Sequence, residues 1–139
     1  MTAAAAPIGG QTPSVGTFKI TSIDDTGAGA NITSEKDLVR QGVPKSALKK
    51  AKGPASKNVT FGTGGGPQDG NVSIVTKSPA YGKSERYMLK DSPSANSVGA
   101  CVQKIRRAHI WLPAQKPFYV SDESKLKVIC PLKYRLYAD

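Results

Sequence analysis

An α+β domain, built on an antiparallel sheet of about five or six strands, is the fold class this sequence predicts. Three observations lead there. Short β-rich runs recur between clusters of Gly, Pro, Asn, Asp and Ser. Around residues 98–109 the apolar residues instead recur at helical spacing, and within 125–137 every second residue from Leu126 to Leu136 is apolar, as in a strand with one buried face. With 139 residues, the chain has the size of one domain, long enough for one hydrophobic core and too short for two. Hydrophobic residues make up only 38%, and 14 Gly and 10 Pro favour short elements joined by turns.

Residues 1–16 are mostly Ala, Gly, Pro, Ser and Thr, with little apolar bulk to offset the entropy of ordering them. They read as a flexible N-terminal arm that orders only against a neighbour, followed by a single domain over 17–139. Residues 17–23 form the expected first strand, with Phe18 and Ile20 on one face and Thr17, Lys19 and Thr21 on the other. Ser34 then offers a cap hydroxyl, Glu35 and Asp37 place acids in a first turn, and Gly42 closes a two-turn helix. Pro44 fits the first position of a second short helix, ended by Gly53 and Pro54.

Residues 58–61 and 71–77 read as strands flanking a glycine loop at 62–70, with Asp69-Gly70 as its turn chemistry. After a turn at 78–82, residues 84–90 return as a further strand, giving an antiparallel meander. Val98, Cys101, Val102, Ile105 and His109 lie on one face of a helix, although residues 110–112 equally suit the start of an extended segment. The last element is a long C-terminal strand with Leu126, Val128, Cys130, Leu132, Tyr134 and Leu136 on its core face. Pro131 lacks an N–H, so this strand belongs at a sheet edge or on a bulge. One helix is too little cover for such a sheet, and a partner subunit is expected to help.

Little in the chain suggests catalysis. His109 is the only histidine and sits on an apolar stripe, where a satisfied structural role is the ordinary one. The pairs Asp24-Asp25 and Asp122-Glu123 stand beside turn residues, where bonding to nearby backbone explains them. Cys101 and Cys130 fit neither a disulfide framework nor zinc spacing. The glycine loop follows a strand, yet Pro67 stands at the third glycine position of a dinucleotide fingerprint and no GK[ST] follows. The expectation is therefore no enzyme, no cofactor and no metal. The N-terminus lacks a basic start and an apolar stretch, so no secretory signal is expected, and no apolar run approaches a membrane span.

Charge carries more information. Twenty Lys and Arg against ten Asp and Glu give +10, unevenly placed: residues 1–37 sum to −2, while residues 38–68 sum to +6 without one acid. A run of this kind neutralises phosphates and releases their condensed counterions. Its members are Arg40, Lys45, Lys49, Lys50, Lys52 and Lys57. A second basic group comprises Lys125, Lys127, Lys133 and Arg135 with Tyr137 on the polar face of the C-terminal strand, joined by Arg106 and Arg107 from the preceding helix. Charges there take phosphates and the ring takes a base.

Residues 38–48 resemble the turn and recognition helix of a helix-turn-helix, which implies major-groove DNA binding by the second helix. The rest of the chain points elsewhere. A basic, turn-rich domain with a small-residue arm and no catalytic constellation suits a nucleoprotein particle. The expectation is a non-enzymatic RNA-binding structural protein, a self-assembling coat protein of a small single-stranded RNA virus or phage. Its partners would be RNA, or another polyanion, and further copies of itself; its place would be the virion or the cytoplasm. A ribosomal-type or other cellular RNA-binding protein is the alternative, and a DNA-binding regulator a lesser one.

Overall fold

Two long runs rich in β-branched and small polar residues, Gly53–Thr63 and Gly66–Ser78, form the hairpin around which the other elements are arranged. The computed structural model describes residues 2–5, 16–78 and 82–120, together with Ser124 and Lys127. In chain order the elements are β1 (Thr2–Ala5), β2 (Phe18–Thr21), β3 (Ile23–Asp25), β4 (Ile32–Ser34), α1 (Glu35–Arg40), α2 (Lys45–Ala51), β5 (Gly53–Thr63), β6 (Gly66–Ser78), β7 (Gly82–Leu89), β8 (Ala95–Ser97), α3 (Val98–Lys104), β9 (Ala108–Ile110) and β10 (Phe118–Val120). Eight strands form one sheet, ordered β2-β1-β6-β7-β4-β8-β3, with β5 pairing β6 beside this path. β9 and β10 make a separate two-stranded sheet.

The class is α+β, but the sheet is mixed and larger than expected. β4 runs parallel to β7 and β3 parallel to β8, which corrects the antiparallel sheet of five or six strands. Of the strands missed by the sequence reading, β3, β4 and β8 are three residues each, too short to display a period of two, and β1 is a four-residue run of Thr and Ala with no apolar alternation. Parallel partners also need long connections rather than tight turns, so no local signal announces them. Residues 17–23 divide into β2 and β3 at Ser22, which is buried. Within the N-terminal segment, Thr2–Ala5 pairs with both β2 and β6. The expected C-terminal strand at 125–137 lies, apart from Lys127, outside the described residues.

The glycine loop proves to be mostly strand. β5 and β6 stay paired from Val59↔Gly70 to Thr63↔Gly66, leaving only Gly64 and Gly65 to turn the chain, with Gly66 in the left-handed region at φ 103. Asp69-Gly70 sits within the ladder, Asp69 opposite Thr60 and accepting from its hydroxyl at 2.9 Å. Gly70 is required for packing rather than for turning. A Cβ there would lie 2.7 Å from the Phe61 ring and 3.0 Å from Tyr87, whose tilted rings close over this backbone with centroids 5.3 Å apart. A register shift between Pro54 and Val59 bulges β5, and the adjacent exposed residues Asn71 and Val72 interrupt the alternation of β6.

The two faces of the sheet meet different surroundings. Ile20, Ile74 and Met88 pack against Leu38, Val43 and Leu48, so the α1–α2 insert covers one face, with Phe18, Ala47 and Ala51 at the margin. Tyr87, next to Met88 in an extended strand, points to the opposite face. Between the central hairpin and the short strands lies Arg86, only 1% exposed. Its guanidinium donates to the carbonyls of Ile32 (3.0 Å) and Ala95 (2.9 Å) and to Asn96 Oδ1 (2.5 Å), and Asn96 in turn donates to Asp24 at 3.1 Å.

α3 is shorter than its apolar stripe suggests. Val98 and Cys101 are buried, but Val102 is 37% exposed and the helix stops at Lys104. Arg106 follows at φ 56, and His109 belongs to β9, where its ring meets Tyr119 at 4.8 Å. The placement of His109 on a helix face is thus corrected: pairing of β9 with β10 claims the segment that the periodicity assigned to the helix. Gly70→Val should destabilise the protein by about 1–3 kcal/mol through overpacking. Gly64→Ala, with nothing within 4 Å of the added Cβ, should shift stability by less than about 0.5 kcal/mol. Urea midpoints of the two variants check this.

Candidate nucleic-acid interface

The basic run is displayed by a short helical hairpin whose ends are well specified. Ser34 caps α1 by accepting from Asp37 N at 3.1 Å, and its own hydroxyl donates to the Ser92 carbonyl at 2.7 Å. At the other end Gly42 N donates to Val39 O and Val43 N to Leu38 O, while Gly42 takes φ 96. This is the Schellman arrangement, completed by the burial of Leu38 and Val43 in the same cluster. Pro44 is the N-cap of α2 rather than its first helical residue, accepting from Ala47 N and Leu48 N. Leu48 faces the core, which turns Lys45, Lys49 and Lys50 to solvent.

Acids near this insert are engaged with the scaffold. Asp37 is buried and accepts from Ser94 N (3.0 Å), Ser94 Oγ (2.7 Å) and Gln41 Nε2 (2.7 Å), and it pairs with Arg40. Burial pushes its carboxyl up, but the bonds from Arg40, Ser94 and Gln41 outweigh this and hold it at about 2. Gln41 also clasps the backbone of β2, accepting from Thr21 N at 2.6 Å and donating to Thr21 O at 3.0 Å. Glu35 bonds to Lys52, whose hydrogen bond and charge, with a smaller contribution from Lys45, keep that carboxyl below its ordinary value.

The predicted residues therefore separate. Arg40 and Lys52 spend their charge partly on Asp37 and Glu35, whereas Lys45, Lys49 and Lys50 have no carboxylate within ion-pair distance among the described residues. Lys57 leaves the group: it lies on the β5 bulge and lines a groove on the opposite sheet face. Arg106 and Arg107 occupy the exit from α3, the first exposed and the second half-buried. Lys127 is exposed, while Lys125, Lys133, Arg135 and Tyr137 lie outside the described residues.

The groove encloses about 1410 Å³ between the β5–β6 hairpin, β7, the 27–32 segment and α3. Phe61, Tyr87, Val59 and Ile32 supply its apolar lining. Lys57, Lys83, Lys90 and Lys104 line it too, against Asp25, Glu85 and Asp91, so its charge is nearly balanced. Glu85 accepts from Ser56 N (2.7 Å) and Ser73 Oγ (2.8 Å), and also from the Ser56 hydroxyl. Burial raises its carboxyl, but these bonds and the Lys104 charge bring it below its usual value. The sequence reading missed Lys83, Lys90 and Lys104 because they come together only through the tertiary fold, from β7, the bend after it and the end of α3. Of the two surfaces, the outer side of α2 has the larger excess of cations, three against the one by which lysines outnumber carboxylates in the groove.

A scan against protein-family models, a search of curated proteins and a search of solved structures each return no match to this chain. No helix among the described residues is long and apolar enough to cross a membrane.

Asp37 makes the scaffold of this surface sensitive to acid. Its folded value of about 2 lies below the ordinary 3.8, so its stabilisation is present above about pH 4 and is lost as pH falls through about 2. Asp37→Asn should cost about 2 kcal/mol at pH 7 and much less at pH 2. Urea unfolding of both proteins at the two pH values checks the convergence.

Proposed function

We propose that this chain is a non-enzymatic, RNA-binding structural protein, a self-assembling coat protein of a small single-stranded RNA virus or phage. Its place would be the virion or the cytoplasm. The observation that supports the reading most directly is the outer face of α2, where Lys45, Lys49 and Lys50 are exposed and free of carboxylate partners among the described residues, while the nearest acids are held by Arg40 and Lys52. A two-turn helix with three cations on one side is a phosphate-binding surface without base-reading groups. It suits packaging of RNA of many sequences, because counterion release depends on charge and not on base edges. Arg106, Arg107 and Lys127 extend the same role to the second half of the chain.

Changing Lys45, Lys49 and Lys50 together to Gln should weaken RNA binding and lower the slope of log K against log salt by about 2, since each phosphate contact contributes roughly 0.7 for a single strand. Far-ultraviolet circular dichroism should stay unchanged, because none of the three side chains enters the core. An unchanged salt slope removes α2 from the interface. Light scattering of nuclease-treated protein tests the coat reading. A large uniform particle is expected, whereas a monomer ordered only by RNA would favour a cellular RNA-binding protein.

A further inference from the structure

We infer that the β9–β10 hairpin of one copy seats in the groove of a second copy, making a head-to-tail contact through which the chain assembles. This rests on the self-assembly part of the reading above and supplies the surfaces it needs.

The hairpin is the first half of the contact. It has three paired positions, Ala108↔Val120, His109↔Tyr119 and Ile110↔Phe118, and among the described residues it pairs with no further strand. A two-stranded hairpin of this length is marginal in water and needs packing to persist. Within it the His109 and Tyr119 rings meet in a tilted contact. Its far end instead shows apolar bulk to solvent: Trp111 is 71% exposed, Leu112 43% and Phe118 42%. Phe118 lies opposite Ile110, the residue before Trp111, so the three side chains gather at one end. Exposed groups of this kind mark contact surfaces, and Trp and Phe are the anchors that fill pockets at interface centres.

The groove is the second half. Its walls come from residues 25–32, 56–68, 83–95 and 100–105, and no residue of 106–120 lines it, so the hairpin does not fill the groove of its own chain. The apolar lining by Phe61, Val59 and Ile32 accepts an aromatic anchor. The near balance of lysines and carboxylates disfavours a polyanion there and suits a protein segment. Lys116, the one cation between Trp111 and Phe118, is exposed and can meet Asp25 at the rim, whereas Asp91 already pairs with Lys36 at 3.7 Å.

A second copy is the occupant that brings both halves at once. The contact is heterologous, each copy giving its hairpin to one neighbour and its groove to another, and such contacts propagate into rings where the rotation closes and into filaments where it does not. Of the roughly 150–250 Å² that a fully buried aromatic contributes, Trp111 has 71% and Phe118 42% still to bury, and the rest of the about 800 Å² that each partner brings to a stable interface comes from the remainder of the hairpin and the groove walls.

Two variants break opposite halves: Trp111→Ser removes the anchor, and Gly62→Trp fills the groove at a lining position where an added Cβ meets nothing within 4 Å. Each alone should reduce the assembly to monomer by light scattering, with far-ultraviolet circular dichroism unchanged, and Trp111→Phe should restore assembly. Mixing the two variants should give a 1:1 dimer that grows no further, because one intact hairpin meets one intact groove. A Trp111→Ser chain that assembles as the parent does, or a mixture that stays monomeric, overturns the inference while leaving the RNA reading standing. Loss of RNA affinity in Gly62→Trp comparable to that in the α2 lysine variant would assign the groove to RNA and overturn it too. A parent chain that is monomeric at every concentration sinks this inference and the coat reading together.

Discussion

Arg86 joins two kinds of sheet. On one side stands the β5–β6–β7 meander, long strands held by extended ladders that only the β5 bulge interrupts. On the other stand β4, β8 and β3, three residues apiece, which ladders alone hold weakly. The guanidinium reaches from β7 to carbonyls on β4 and β8, and through Asn96 to Asp24 on β3, so one cation gathers four strands. Burying a charge costs solvation, and here the short strands provide acceptors for both terminal nitrogens of the guanidinium. Because α1 begins where β4 ends, this junction also fixes where the helical insert leaves the sheet, and with it the direction in which α2 displays its lysines.

The distribution of the acids follows a related logic. In a chain of net charge +10, the carboxylates close to the insert act as struts. Asp37 ties α1 to the 92–94 turn and, through Gln41, to β2; Glu35 ties the start of α1 to the end of α2. The cations left over are those that the core does not need. Scaffold and interface thus draw on different members of one basic run, and the side chains that hold the insert in place are not those that face outward from it.

The sequence made some of this legible and not the rest. The caps of α1, Ser34 and Gly42, are local chemistry and were found where their residue types stand. Phe18 and Ile20 on one face followed from alternation, and the strands around 58–61, 71–77 and 84–90 from β-rich runs set between turn residues. Gly70 misled because glycine has two uses: beside Asp69 it reads as a turn, whereas its place is set by two rings that meet over it from distant segments. The three-residue strands were invisible for want of length. His109 fell in step with a helical stripe by coincidence of spacing. In the candidate interface, the exposed lysines of α2 were legible from the acid-free run, but the departure of Lys57 to the other face depended on the β5 bulge, and no pattern in the run marks it.

The interior of the described residues is unusually polar, with 13 buried polar or charged residues beside 11 buried hydrophobic ones, and Ser22, Thr33, Ser34, Ser73, Ser94 and Ser97 among the former. Unfolding such an interior exposes much amide, hydroxyl and carbonyl surface relative to hydrocarbon. Exposure of apolar area raises the heat capacity of the unfolded chain and exposure of polar area lowers it. The two contributions offset each other more than in an oily core, which flattens the curve of stability against temperature. A protein of this kind loses less stability on cooling than a hydrophobic one of equal size, since less of its cohesion comes from the force that weakens in the cold.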